Sequence, residues 1–161
     1  MQTQWILFSG VLILNTLAAL FLALLVGRRR NAPGSSQAAF LFVALALWTF
    51  AYAMITLSKD YDAKVFWVKI ENIGILSTPV LWLMFALHYT RREKWLTRFT
   101  TFLLWIVPLV SLTSLFSGTW FNLYYASLLP GESGGPLIHQ RGPWYGTQLF
   151  VSYGFLVAGL L

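Results

Sequence analysis

The stretch VFWVKIENIGILSTPVLWLMFALHYT, residues Val65 to Thr90, is apolar and long enough to cross a bilayer. It nevertheless contains Lys69, Glu71 and Pro79. A charged side chain inside hydrocarbon is costly unless it is paired, hydrated or neutralised, so such a residue is a functional-site hypothesis by default. The segment therefore predicts a membrane fold and, at Glu71, a candidate site.

The composition of the whole chain is that of an integral membrane protein. It is 58% hydrophobic and 10% charged, whereas soluble domains have about 25% charged residues. The absence of cysteine excludes disulfides and thiolate metal sites. Because His139 has no second ligand at metal-binding spacing, we expect no metal and no cofactor. The net charge of +6 is attributed to loops at the membrane surface, and we expect no nucleic-acid partner.

Five apolar runs, each near the length that spans a bilayer, divide the chain. They predict an all-α bundle of five transmembrane helices in a single module, residues 1–161. The fifth run reaches the last residue without a positive charge after it, so we expect a chain truncated at its C-terminus. The predicted spans are 5–27, 38–58, 65–89, 99–117 and 145–161.

Basic residues are concentrated in two of the joints between spans. The other two joints are nearly balanced in charge. Since cytoplasmic loops carry the excess of Lys and Arg, we predict a plasma (inner) membrane protein with its N-terminus outside. The residues that determine this topology are Arg28, Arg29 and Arg30 in the first joint, and Arg91, Arg92, Lys94 and Arg98 in the third.

Helical spacing places polar and aromatic residues on one face of the third span. We expect this face to look into the bundle and, with the second span, to border an outward-opening cavity suited to an amphipathic or cationic signal. Lys69 falls on the far side. In the alternative interpretation, Glu71 only hydrogen-bonds a neighbouring helix and the aromatic residues only pack. The candidate binding residues are Glu71, Gly74, Thr78 and Trp82, with Trp48 and Tyr52 of the second span.

Other residues within the spans predict packing features. Pro79 and Pro108 predict kinks, with nearby hydroxyl side chains compensating the backbone. Asn15, in the middle of the first span, predicts a hydrogen bond between helices. Thr56 continues the four-residue spacing of Trp48 and Tyr52 and is expected to face the third span.

The loop GTWFNLYYASLLPGESGGPLIHQRGPW, residues 118–144, is longer than ordinary connections. Its aromatic first half predicts a short amphipathic segment, and PGESGGP predicts a turn. We therefore expect a hairpin-like lid over the outer end of the bundle, which includes His139, Arg141 and Trp144.

The order of these features resembles the N-terminal seven-helix sensor region of bacterial histidine kinases. The resemblance covers nearly the whole chain and includes the Trp48-x3-Tyr52 pair, the helix with Pro108, the long outer loop and GPWYGTQLFVSYGFLVAGLL. It implies the first five helices of a seven-helix bundle, in a protein of a two-component system. On the third span, the matching residues are Glu71, Gly74, Pro79, Trp82, Phe85, Tyr89 and Thr90.

No catalytic motif appears, so we do not expect this chain to be an enzyme itself. The resemblance implies that a kinase or diguanylate cyclase output lies downstream, with homodimerisation through those C-terminal domains. The expected partners of the chain are the lipid bilayer and an unknown small-molecule or membrane signal. Two alternatives are a tryptophan-rich sensory-type ligand-binding protein and a small transporter or membrane assembly subunit, in which Glu71 carries a proton or cation.

Overall fold

The structure is a computed structural model that describes residues 2–29, 32–117, 120–129, 131 and 136–161. Four long helices are followed by a short helix, a two-stranded sheet and a final helix. Their bounds are α1 Gln2–Arg28, α2 Ser35–Leu57, α3 Tyr61–Tyr89, α4 Arg98–Phe116, α5 Phe121–Tyr124, β1 Tyr125–Leu129, β2 Ile138–Arg141 and α6 Pro143–Ala158, with a 3-10 turn at Glu93–Trp95.

Within the described residues, α1 to α4 are long and apolar enough to cross a membrane. The chain is thus a mostly helical, multi-pass membrane protein. The fifth predicted span forms α6, which has 16 residues. At 1.5 Å per residue it is about 24 Å long, short of the roughly 30 Å of hydrocarbon. Four helices of the described residues therefore have spanning length, and the predicted count of five membrane-spanning helices stays a prediction.

Helix α3 begins earlier than predicted because of a cap that hydropathy does not reveal. The side chain of Asp60 accepts a hydrogen bond from the backbone N–H of Ala63 at 3.0 Å. This is a typical N-cap, which satisfies one of the free N–H groups of the first turn. The helix starts at Tyr61 instead of residue 65 and reaches 29 residues.

The helices pack side by side in chain order. Helix α1 packs along α2, α2 along α3, and α3 also contacts α4 and α6. Hydroxyl pairs join α1 to α2: the Oγ of Ser9 lies 2.5 Å from the Oγ1 of Thr56, and the Oγ1 of Thr16 lies 2.8 Å from that of Thr49. Thr56 therefore faces α1, and the prediction that it faces the third span was wrong.

Pro79 lies inside α3 and Pro108 lies inside α4, and each removes one backbone hydrogen bond from its helix. The hydroxyl of Thr78 donates to the carbonyl of Gly74 at 2.8 Å. In α4 the hydroxyl of Ser111 donates to the carbonyl of Val107 at 2.8 Å. The hydroxyl of Thr78 thus uses the carbonyl next to the freed one of Ile75, whereas that of Ser111 uses a carbonyl three residues after the freed one of Leu104.

The long loop between α4 and α6 forms the expected short helix and hairpin. Strands β1 and β2 pair antiparallel, with an irregularity between Tyr125 and Ser127. The hairpin packs on one end of the bundle, where the hydroxyl of Tyr61 donates to the carbonyl of Leu128 at 3.0 Å. The predicted turn at 130–136 lies largely outside the described residues. The core at this end combines hairpin and bundle residues, namely Ile55, Val68, Leu76, Leu115, Tyr124, Tyr125, Leu128 and Leu137.

Candidate functional site

The carboxyl group of Glu71 lies inside the protein, between α3 and α2. Glu71 is 6% exposed, and the side chain of Trp48 lies beside its carboxylate, where the indole N–H is a candidate donor. The ring of Tyr52 is close enough to interact electrostatically with the carboxylate. Among the residues that the structure describes, no lysine or arginine forms an ion pair with Glu71. The carboxylate therefore lies among aromatic side chains and retains the capacity to accept hydrogen bonds.

Gly74 explains how Trp48 comes so close to α3. A Cβ atom at position 74 would lie 2.5 Å from the carbonyl oxygen of Ala44 and 2.8 Å from the backbone nitrogen of Trp48. The backbones of α2 and α3 meet here, as small residues permit at membrane helix interfaces. Gly74 consequently serves the contact between the helices, one turn away from Glu71.

Glu71 borders a cavity of about 500 Å³, which is otherwise formed by α1 and α2. This volume lies within the range of small-molecule sites in proteins. The aromatic side chains of Trp48 and Tyr52 line the cavity beside the carboxylate, and Asn15 and Thr49 add polar groups. The structure thus brings together three of the six predicted binding residues, Glu71, Trp48 and Tyr52, around one cavity.

Asn15 is exposed towards this cavity in the middle of α1. No hydrogen-bond partner of its side chain is found within the described part of the chain. Its neighbour Thr16 makes the bond to α2 instead, through Thr49. The interhelical hydrogen bond predicted for Asn15 was therefore assigned to the wrong residue, and the Asn15 amide is left as a polar group beside the cavity.

The remaining predicted residues of the α3 face lie apart from the Glu71 cavity. Thr78 lines a second cavity of about 220 Å³ between α2, α3 and α6, and Trp48 borders both cavities. The indole N–H of Trp82 donates to the carbonyl of Leu156 in α6 at 3.2 Å. Of the six candidate residues, Glu71, Trp48 and Tyr52 therefore line the first cavity and Thr78 lines the second. Gly74 and Trp82 make contacts between helices.

Lys69 lies away from the carboxylate, as its helical position predicts. Its Nζ is 5.9 Å from the centre of the Phe116 ring and 5.8 Å from that of Phe121. Both distances are within reach of a cation–π interaction. Lys69 thus interacts with α4 and α5, and Glu71 does not neutralise it.

Sequence reasoning missed two polar networks around the site. Asn72 is 1% exposed, and its amide and the Tyr125 hydroxyl lie within hydrogen-bond distance, 3.2 Å and 3.3 Å for the two atom pairs. The Oε1 of Gln148 lies 2.7 Å from the Ser111 hydroxyl, whose single hydrogen it shares with the Val107 carbonyl, and the amide N–H of Gln148 donates to Ser152 at 2.8 Å. The sequence feature that could have indicated Asn72 is its position directly after Glu71. Gln148 was overlooked because it lies within a mostly apolar span.

The predicted lid residues lie on the hairpin and at the start of α6. His139 stacks on the Tyr125 ring, with centroids 4.9 Å apart, and partial desolvation lowers the pKa of its imidazole. Arg141 lies over the Tyr145 ring at 5.0 Å. The indole N–H of Trp144 donates to the Ser111 hydroxyl at 2.9 Å. The hairpin is thus joined to α3 through Tyr125, and the start of α6 is joined to α4 through Trp144.

The basic topology residues lie at the opposite end of the helices from the hairpin. Arg28 is in the last turn of α1, and Arg98 begins α4. A contact of 3.2 Å between the side chains of Gln37 and His88 places the start of α2 beside the end of α3. The two basic joints therefore share one end of the bundle. The other described members are Arg29, Arg91, Arg92 and Lys94, whereas Arg30 lies outside the described residues.

Comparison with known proteins identifies the family. No curated protein and no solved structure matches the chain. The family model described as the N-terminal 7TM region of histidine kinase matches residues 11–161. This range includes Glu71, Pro79, Pro108, the hairpin and α6. The match confirms the resemblance that the sequence pattern indicated. The chain belongs to the family of N-terminal 7TM regions of histidine kinases.

Proposed function

We propose that this chain is the signal-sensing input module of a bacterial signal-transduction protein, and that the cavity at Glu71 receives the signal. The observation that carries the proposal is a buried carboxylate that lines a cavity of about 500 Å³ together with two aromatic side chains. A carboxylate next to the rings of Trp48 and Tyr52 favours a cationic group, because both charge and ring faces attract cations. The signal is therefore an amphipathic or cationic molecule.

Signalling in this proposal is a shift between two packings of the helices. A ligand can shift such an equilibrium only if it binds one packing better than the other. Helix α3 supports this role because it carries Glu71 at the cavity and Pro79 two turns further on, and ends beside the basic joint. The proposal includes a cytoplasmic kinase or diguanylate cyclase output, through which two copies pair.

The test of the proposed site is Glu71→Gln in the full-length protein. We expect the inducing concentration of the signal to rise about 10-fold to 100-fold, because a hydrogen bond to a charged group contributes about 1.5 to 3 kcal/mol. Output is measured as a dose-response curve at matched expression. The control is Glu93→Gln, which changes an exposed carboxylate in the 3-10 turn and should not shift the midpoint of the dose-response curve. If the midpoint with Glu71→Gln equals that of the wild type, the carboxylate is structural and the proposed site is wrong.

The proposed orientation in the plasma membrane, with the N-terminus outside, has its own test. Because the chain has no cysteine, single cysteines report accessibility without background. We expect Ala126→Cys, on the exposed face of β1, to react with a membrane-impermeant thiol reagent in intact cells, and Ser36→Cys, at the start of α2, to react only after lysis. Labelling of Ser36→Cys alone in intact cells reverses the orientation.

A further inference from the structure

We propose that the cavity between α1 and α2 binds a primary alkylammonium ion, with the ammonium between Glu71 and Asn15 and the alkyl chain along the groove towards Leu22. This inference rests on the proposed function and adds to it the chemical class, the orientation and the length of the ligand.

The position of the ammonium follows from the level of two polar side chains, Asn15 and Glu71, along the helix axes. Asn15 directly precedes Thr16, which hydrogen-bonds Thr49 of α2. The residue before Thr49 is Trp48, whose side chain lies beside the carboxylate of Glu71 and lines the same cavity. Asn15 and Glu71 therefore lie at about the same level of the bundle, on the same cavity. A bound group between them meets a carboxylate and an amide oxygen, both of which accept hydrogen bonds.

This pair of acceptors selects a primary amine. A primary ammonium has three N–H donors, so it can donate to Glu71 and to the free amide oxygen of Asn15 together. A quaternary ammonium has no donor and would leave the Asn15 amide unsatisfied. A carboxylate or phosphate headgroup would be repelled by Glu71.

The rest of the groove is apolar and begins next to the polar pair. From Asn15 towards the basic end of the bundle, every further lining residue is apolar. These residues are Ala18, Ala19 and Leu22 of α1, and Phe42 and Leu45 of α2. The polar and apolar parts are thus separated along the helix axis, as the two parts of a single-chain amphiphile are.

The length of the apolar part limits the chain. Asn15 and Leu22 are seven residues apart, which corresponds to about 10 Å along the helix. An extended chain covers roughly 1.2 Å per bond, since three backbone bonds span about 3.3 to 3.6 Å. The groove therefore accommodates about eight to ten carbons beyond the ammonium. Asn15, Ala18 and Leu22 are exposed on the surface of α1, so the groove opens sideways towards the lipid.

The test is photoaffinity labelling of this chain in nanodiscs with a decylammonium probe that carries a diazirine on its terminal carbon. We expect crosslinks at Leu22 and Phe42, identified by mass spectrometry. Unlabelled decylammonium should compete, while butylammonium, decanol and decanoate should compete at least about tenfold less well at equal mole fraction in the bilayer. Glu71→Gln and Asn15→Leu should each reduce labelling, Glu71→Gln by about tenfold.

A second pair of variants tests the chain length directly. Ala18→Phe fills the apolar part of the groove and should make hexylammonium a better competitor than decylammonium. Leu17→Phe is the matched control, because Leu17 is exposed on α1 and does not line the cavity; it should leave the wild-type order unchanged.

The outcomes separate this inference from the proposed function. Equal competition by the amine, the alcohol and the carboxylate would mean partition into lipid or a groove filled by protein, and would overturn the inference. Competition by amines that depends on Glu71 but not on chain length would also overturn it, while the proposed function would stand. The proposed function itself would be overturned if Glu71→Gln in the full-length protein left the dose-response curve unchanged.

Discussion

Gly74→Leu is expected to separate α2 from α3 and to leave little folded protein in the membrane. Even the first added carbon would lie 2.5 Å from the Ala44 carbonyl oxygen and within 3 Å of the backbone nitrogen and Cβ of Trp48. Two of these three atoms are backbone, so no side-chain rotation relieves the clash. Overpacking of this kind typically costs about 1 to 3 kcal/mol, and the bulk of leucine at a helix crossing adds to it.

The measurement is the melting temperature of the detergent-extracted protein, together with its monodisperse fraction on gel filtration. Gly74→Ala should lower the melting temperature, and Gly74→Leu should eliminate the monodisperse peak. Gly154→Ala is the matched control, because a Cβ there meets nothing within 4 Å. A Gly74→Ala protein as stable as the Gly154→Ala protein would show that α2 and α3 are not in close contact.

Asn72→Ala is expected to loosen the hairpin of β1 and β2 from α3. The Asn72 side chain also donates to the carbonyl of Val68 at 2.8 Å, which orients it towards Tyr125. Removing the amide leaves the buried Tyr125 hydroxyl without its partner, at a cost of about 1 to 3 kcal/mol. We expect faster hydrogen exchange in β1 and β2 and a lower melting temperature.

A double-mutant cycle separates this contact from general loss of packing. Tyr125→Phe removes the hydroxyl, so Asn72→Ala in that background should cost less than it does in the wild type. Asn122→Ala, an exposed asparagine in α5, is the control and should change neither observable. Additive effects of the two substitutions would indicate that Asn72 and Tyr125 do not interact.

The sequence predicted the helices well, because hydrocarbon requires long apolar segments whose hydropathy is visible without a structure. The ends were less predictable, since the start of α3 depends on the Asp60 cap and not on hydropathy. The fifth span was predicted as a crossing helix from its apolar composition; the structure forms a helix there, α6, and its crossing of the membrane stays a prediction.

The candidate site was predictable in part. Helical spacing placed Glu71 correctly towards Trp48 and Tyr52, because a charged side chain is less costly inside the bundle than in contact with lipid. The same spacing could not tell that Gly74 and Trp82 would be used in contacts with α2 and α6. It also gave no indication that α1 would supply Asn15, because partners between helices depend on packing and not on the periodicity of one helix. The binding roles of all six candidate residues stay predictions.

The 29 residues of α3 make it about 43 Å long, well above the roughly 30 Å of bilayer hydrocarbon. The first turn of α3 is polar and carries Asp62, so only part of this length meets hydrocarbon. A hydrophobic stretch longer than the hydrocarbon is accommodated by tilt, a kink or local thickening of the bilayer, each at a modest cost that depends on membrane thickness. Because Glu71 and Pro79 both lie on this helix, we expect a change in lipid chain length to act on the helix that carries the candidate site. Membrane thickness is therefore a second variable that acts on the same element as a ligand, and nanodiscs of two acyl-chain lengths would separate their effects.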